Sequence, residues 1–215
     1  MSDARSSDDL KMAVLEAALK RAPDEGFTDA MLAAAGKDAG AEMPAHLFPQ
    51  GAASLVEFFS EQSDAAMERA LAEKDLAGMK VRERISTAVL ARIDAIRPHE
   101  EAARRAAAFL LMPAHAPLGM KLLYSTVDAM WRAAGDTSTD FNFYTKRAIL
   151  GAVYSSTLMH WFNDTSEDEG ATREFLADRI ENVMQFEKFK VEMRERTKDM
   201  PSFADVLKGF SAPKS

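Results

Sequence analysis

A chain of 215 residues with 47% apolar side chains is long enough for one domain with a sizeable core, and leaves room for a small appendage. Its formal net charge of −7 argues against general nucleic-acid binding, because neutralising phosphates needs a surplus of Lys and Arg. The chain has no cysteine, so it has no disulfide frame, thiolate nucleophile or cysteine-based zinc site, and no apolar run approaches the roughly 20 residues of a membrane span.

Residues 1–7 are polar and acidic, and a disordered tail is expected there. They match neither a signal peptide nor an arginine-rich transit peptide. Asp8 or Asp9 is expected to cap a helix through Lys20 with Leu10, Val14, Leu15 and Ala18 on one face. Gly26 breaks the pattern, and Thr28 caps a second helix through Ala39. A short helix over Ala41–Leu47 follows. Then PQGAASLVEFFSE opens a long helix to about Ala72. This order is the helix-turn-helix layout of TetR-like regulators. Its chemistry does not suit DNA. Residues 1–62 hold five cations against eleven carboxylates, and no Lys or Arg occurs between Asp38 and Glu68. A helix-turn-helix retained for packing is expected.

The next helix, Met79–Ile96, has Val81, Ile85, Val89 and Ile93 on one stripe and an Arg-rich opposite face. Another runs from Pro98 to Leu111, where MPAHAP ends it. Leu118–Ala134 and Phe141–Phe162 flank the polar turn Asp136–Asp140, and the second is apolar almost all round between Ala148 and Tyr154, as a buried central helix should be. Ala148, Gly151, Ala152, Ser155 and Ser156 would let a helix or ligand approach its backbone. Ser166 and Glu169 have the spacing of a capping box for a last long helix to about Thr197. After Pro201, Phe203, Val206, Leu207 and Phe210 fall on one face of a two-turn helix. It is too short to be stable alone and must dock on the bundle, on a second copy or on a membrane.

Helical periodicity points Phe109, Leu110, Leu123, Val127, Trp131, Ile149 and Val153 inward, as candidate linings of an apolar lipid cavity. Met112, Met120, Met130, Met159 and Met184 cluster with aromatic residues in the same region. Methionine adapts to core packing and to irregular apolar ligands alike. No catalytic constellation is visible. The four histidines lie in unrelated segments, and no Glu-x-x-His, His-Glu-x-x-His, phosphate loop or nucleophile elbow occurs.

The run VDAMWRAAGDTSTDFNFYTKRAIL, from Val127 to Leu150, and the later EFLADRI, from Glu174 to Ile180, resemble the signature of the ubiquinone-biosynthesis accessory proteins of the Coq-nine family. AGD, STDFN, YTKRA and EFLADRI stand in that family's order, and the likeness extends from about Leu10 to Gln185. The resemblance implies an all-α, TetR-like helical bundle with a degenerate N-terminal helix-turn-helix. On that pattern, residues 8–75 are the helix-turn-helix-like domain, 76–198 the lipid-binding and dimerisation domain, and 201–215 an amphipathic helix and tail.

The implied function is non-enzymatic. Such a protein binds polyprenyl quinone intermediates at the membrane and presents them to the di-iron demethoxyubiquinone hydroxylase, which carries the metal. No cofactor is implied beyond the bound lipid. A homodimer, formed through the last two long helices, and a cytoplasmic location peripheral to the inner membrane are implied as well. The family's hydroxylase-docking patch falls on Met130, Asp140, Phe143 and Tyr144, with Phe143 where mitochondrial relatives commonly carry tryptophan. Its membrane contact falls on Phe203, Val206, Leu207 and Phe210. A ligand-responsive TetR-type regulator and an enzyme on this scaffold are the competing classes.

Overall fold

The computed structural model describes the backbone of residues 6–137 and 141–197, and the side chains of all of these except 141–142 and 187–197. The described residues form nine α-helices: α1 Ser7–Glu25, α2 Asp29–Ala39, α3 Pro44–Leu47, α4 Ala52–Ala72, α5 Val81–Ile96, α6 Glu100–Leu111, α7 Ala116–Ala133, α8 Phe141–Trp161 and α9 Gly170–Thr197. No strand occurs among them.

α1 begins a turn earlier than expected because Ser6 is the cap. Its hydroxyl accepts from the Asp9 N–H at 3.1 Å, and the Asp9 carboxylate accepts from the Ser6 N–H at 3.3 Å. α1 also runs past Lys20 to Glu25. Pro23 sits in its last turn, where the missing N–H loses a single hydrogen bond, and Gly26 then ends the helix.

The Asp29 carboxylate reaches across to accept the Ala52 N–H at 2.8 Å and so ties α2 to the start of α4. Gly51 beside it has φ +61°, and a Cβ there would lie 2.1 Å from Asp29 Oδ1, so only glycine fits. α3 is a single turn, shorter than the expected Ala41–Leu47. Residue 43 precedes a proline and stays out of the helical region. A recognition helix is therefore lacking in length as well as in charge.

α4 packs on α5 and α7, α6 returns against α1, and α8 lies against both α7 and α9. α7 starts at Ala116, ahead of the expected Leu118, because Pro117 is tolerated in a first turn. At the entrance to α9 the expected Ser166–Glu169 box does not form. Asp168 and Glu169 have φ of 52° and 55°, and Glu169 turns away to pair with Arg97 and accept the Trp161 indole N–H at 2.9 Å. The Ser166 hydroxyl still accepts from the Ala171 N–H at 3.0 Å, and Asp164 takes over the rest of the capping. Its Oδ1 accepts from the Ser166 hydroxyl and N–H at 2.5 and 2.8 Å, and its Oδ2 from the Thr172 hydroxyl and N–H at 2.6 and 2.7 Å. The Ser166 hydroxyl, then the Thr172 hydroxyl and the backbone amides, hold the Asp164 carboxyl well below the usual carboxylate range.

Candidate functional site

A cavity of about 350 Å³ opens between α4, α5, α6, α7 and α8. Small side chains make its room: Ala103, Ala106 and Ala107 on α6 and Gly119 on α7 line it. Leu110, Leu123 and Leu158 supply apolar wall. Three further lining residues are exposed, Leu111 at 75%, Met120 at 67% and Met159 at 41%, so they form an apolar rim at the mouth.

The deep wall is polar. Arg92, Thr126 and Tyr154 line the cavity and are almost fully buried. The Arg92 Nε donates to Asp64 at 2.6 Å, and the Thr126 hydroxyl donates to the same carboxylate at 2.9 Å. Burial disfavours the Arg92 charge, but the paired Asp64 carboxylate opposes this and helps hold the guanidinium more basic than usual. Burial likewise pushes the Tyr154 hydroxyl up, so it stays protonated and can donate. Arg92 stands three residues after Val89 and seven after Ile85, on the buried stripe of α5, so helical spacing signals its burial although its charge does not.

A second space of about 360 Å³ lies on the other side of α8, between the start of α5, Trp131 of α7 and Ile180, Val183 and Met184 of α9. The two spaces explain why α8 is apolar all round. Ile149, Leu150 and Val153 face one, while Tyr154, Ser155, Leu158 and Phe162 face the other. The seven expected lining residues are therefore split. Leu110 and Leu123 line the first cavity, and Trp131, Ile149 and Val153 line the second. Val127 is core, and Phe109 stacks on His115 at 3.9 Å and packs toward Phe27, away from both spaces. Periodicity finds the inward face of a helix but does not separate two cavities that share it.

The polar motif between α7 and α8 has a structural role of its own. Asp136 accepts from Lys146 at 2.7 Å and from Arg147 at 3.2 Å, and Arg147 also donates to Asp128 at 2.7 Å. The Arg147 guanidinium lies 3.4 Å from the Phe143 ring centroid and donates to the Phe143 carbonyl. Trp131 donates its indole N–H to the Lys146 carbonyl at 3.1 Å. The network fixes the first turn of α8 and presents Tyr144, which is 66% exposed and packs edge-on against Phe143 at 5.1 Å. Met130 is fully buried, so it does not belong to an exposed patch. Asp140 and the C-terminal Phe203, Val206, Leu207 and Phe210 lie outside the described residues.

The helix order, the one-turn α3 and the bundle behind it define an all-α protein of the TetR-like fold. A TetR transcriptional regulator from Nitrosomonas europaea matches 82% of this chain and 98% of its own, with a TM-score of 0.65 and 18% identity. The chain is similar to proteins of the COQ9 family over most of its length. The COQ9 family model matches residues 116–187, which include the motif and both walls of α8. Mitochondrial ubiquinone biosynthesis protein COQ9 from Rattus norvegicus is 34% identical over 85% of this chain and 61% of its own length, and that from Homo sapiens is 34% identical over 85% and 60%. COQ9-B from Xenopus laevis is 35% identical over 85% and 65%. The chain thus spans about six-tenths of the length of these relatives. No helix among the described residues is long and apolar enough to cross a membrane.

Proposed function

We propose that this chain is a non-catalytic lipid-binding protein of ubiquinone biosynthesis. It takes a polyprenyl quinone intermediate from a membrane and presents it to the di-iron demethoxyubiquinone hydroxylase. The observation that carries the reading is the first cavity: about 350 Å³, apolar-walled, with exposed Leu111, Met120 and Met159 at its mouth. An apolar rim around a cavity fits a lipid surface better than water. Tyr144 and Phe143 supply the hydroxylase contact, an aromatic pair braced by buried charge and presented on a helix. The degenerate helix-turn-helix favours this reading over a DNA-binding regulator.

Two copies associate through α8 and α9, which leave Ala148, Ala152, Met184 and Phe186 exposed in the single chain. Sedimentation is expected to show a dimer at micromolar concentration, and a monomer would contradict this. The lipid itself is tested by solvent extraction of the purified protein and mass spectrometry. The expected result is an isoprenoid quinone or a precursor in near-stoichiometric amount. Recovery of no lipid from protein made in quinone-rich cells would overturn the reading.

A further inference from the structure

The deep wall of the first cavity contains an incomplete hydrogen-bond arrangement. The Asp64 carboxylate is occupied by the Arg92 Nε and by the Thr126 hydroxyl, and this locks the guanidinium in place. The Arg92 Nη2 reaches only Ser60 Oγ, at 3.4 Å. The Arg92 Nη1 is buried and has no hydrogen-bond partner among the described residues. A buried donor on a charged group is costly to leave unpaired, and so marks a place where an acceptor is wanted. Tyr154 lines the same wall and offers a second donor.

Charge decides which acceptor. Arg92 is the one charged residue lining the cavity among the described residues, and Asp64 beside it already balances that charge. An anion brought into this apolar space would stay largely uncompensated, whereas a neutral carbonyl oxygen meets two donors at little electrostatic cost. Resting on the lipid-binding reading above, we propose that Arg92 and Tyr154 are the headgroup anchor of the cavity. They bind a carbonyl oxygen of a neutral, quinone-like amphiphile that enters ring first.

The orientation follows from the walls. The donors lie deep, the rim at Leu111, Met120 and Met159 is apolar, and the small volume suits a substituted ring with the first carbons of its tail. The rest of the tail stays at the mouth. In this arrangement the reactive ring is sealed from water until it is drawn out again.

The test uses the full chain and three matched small probes in calorimetric titrations: 2-hexyl-1,4-benzoquinone, hexylbenzene and 4-hexylbenzoate. With no cysteine in the chain, thiol addition to the quinone does not confuse the assay. The quinone is expected to bind at least tenfold more tightly than the other two. Tyr154→Phe and Arg92→Lys, which retains a cation for Asp64, are each expected to weaken quinone binding at least fivefold and to leave hexylbenzene within twofold. Should Arg92→Lys fail to fold, Tyr154→Phe alone decides. Equal affinity for quinone and hexylbenzene, or a quinone affinity unchanged in the folded variants, would overturn the anchor and leave lipid binding intact. Tightest binding of the benzoate would overturn the choice of a neutral head. No binding of any probe would overturn the cavity reading itself.

Discussion

Arg92 and Arg147 are both buried and both pair with aspartate, but they are finished differently. Arg147 is surrounded: Asp128 and Asp136 carboxylates, the Phe143 carbonyl and the Phe143 ring. Arg92 has one carboxylate, a distant serine and an orphan Nη1. A satisfied buried charge specifies a shape, here the turn between α7 and α8. An unsatisfied one at a cavity wall is poised for something that arrives. Residue type and burial alike fail to separate these two roles; the census of donors and acceptors does.

The largest expected effect tests the satisfied member of the pair. Arg147→Ala removes the buried cation that Asp128 and Asp136 share and leaves them the more exposed Arg132 and Lys146, and a loss of about 3–5 kcal/mol of stability is expected in urea denaturation. A loss under about 1 kcal/mol would mean that the network is dispensable. Next is Met130→Ala, expected to cost about 2–5 kcal/mol because its side chain is fully buried. If it instead weakened hydroxylase binding with stability unchanged, the placement of Met130 beneath the surface would be wrong.

Tyr144→Ala should do the reverse of both. It lies on the exposed side of the same network, so stability should shift by less than about 0.5 kcal/mol, while hydroxylase affinity should fall by more than about 1 kcal/mol. Pull-down and melting curves on one preparation separate the two. The smallest effect concerns Asp164. Its carboxyl titrates below the unfolded value, so the stability it lends α9 is fully present above about pH 4 and fades as the solution is acidified below that. Asp164→Asn should flatten that part of the acid limb, as read by circular dichroism against pH. An unchanged limb would show that the cap does not matter.

Much of the fold was legible from the sequence. Thr28 before α2 and Gly26 after α1 mark real boundaries, but α8, expected as a buried central helix, packs on α7 and α9 and leaves Ala148, Ala152 and Met159 exposed in the single chain. The acidic, cation-free stretch ahead of α4 is the sequence feature that argues against a surface for DNA. The site was less legible. Asp136 meets Arg147 across a turn, and Arg92 meets Asp64 from another helix, pairings that depend on tertiary approach and leave no periodic trace. Arg84 is similar: it reads as a surface charge on α5 but donates to the Ala134 carbonyl and so closes the end of α7. Asp164 rather than Glu169 joins Ser166 in capping α9 because the positive φ of Asp168 and Glu169 redirects the chain, which spacing alone does not reveal.

The account turns on the first cavity being where the amphiphile sits. Photo-cross-linking with a diazirine-tailed hexyl benzoquinone, followed by peptide mapping, tests this most directly. The account predicts adducts at the mouth and upper wall, on the peptides carrying Leu111, Met120 and Met159, competed away by unlabelled quinone and reduced in Tyr154→Phe. Competed adducts confined to Val81, Ile180 and Met184 would place the ligand in the second space, and adducts confined to α1–α3 would place it in neither. Either result would contradict the account.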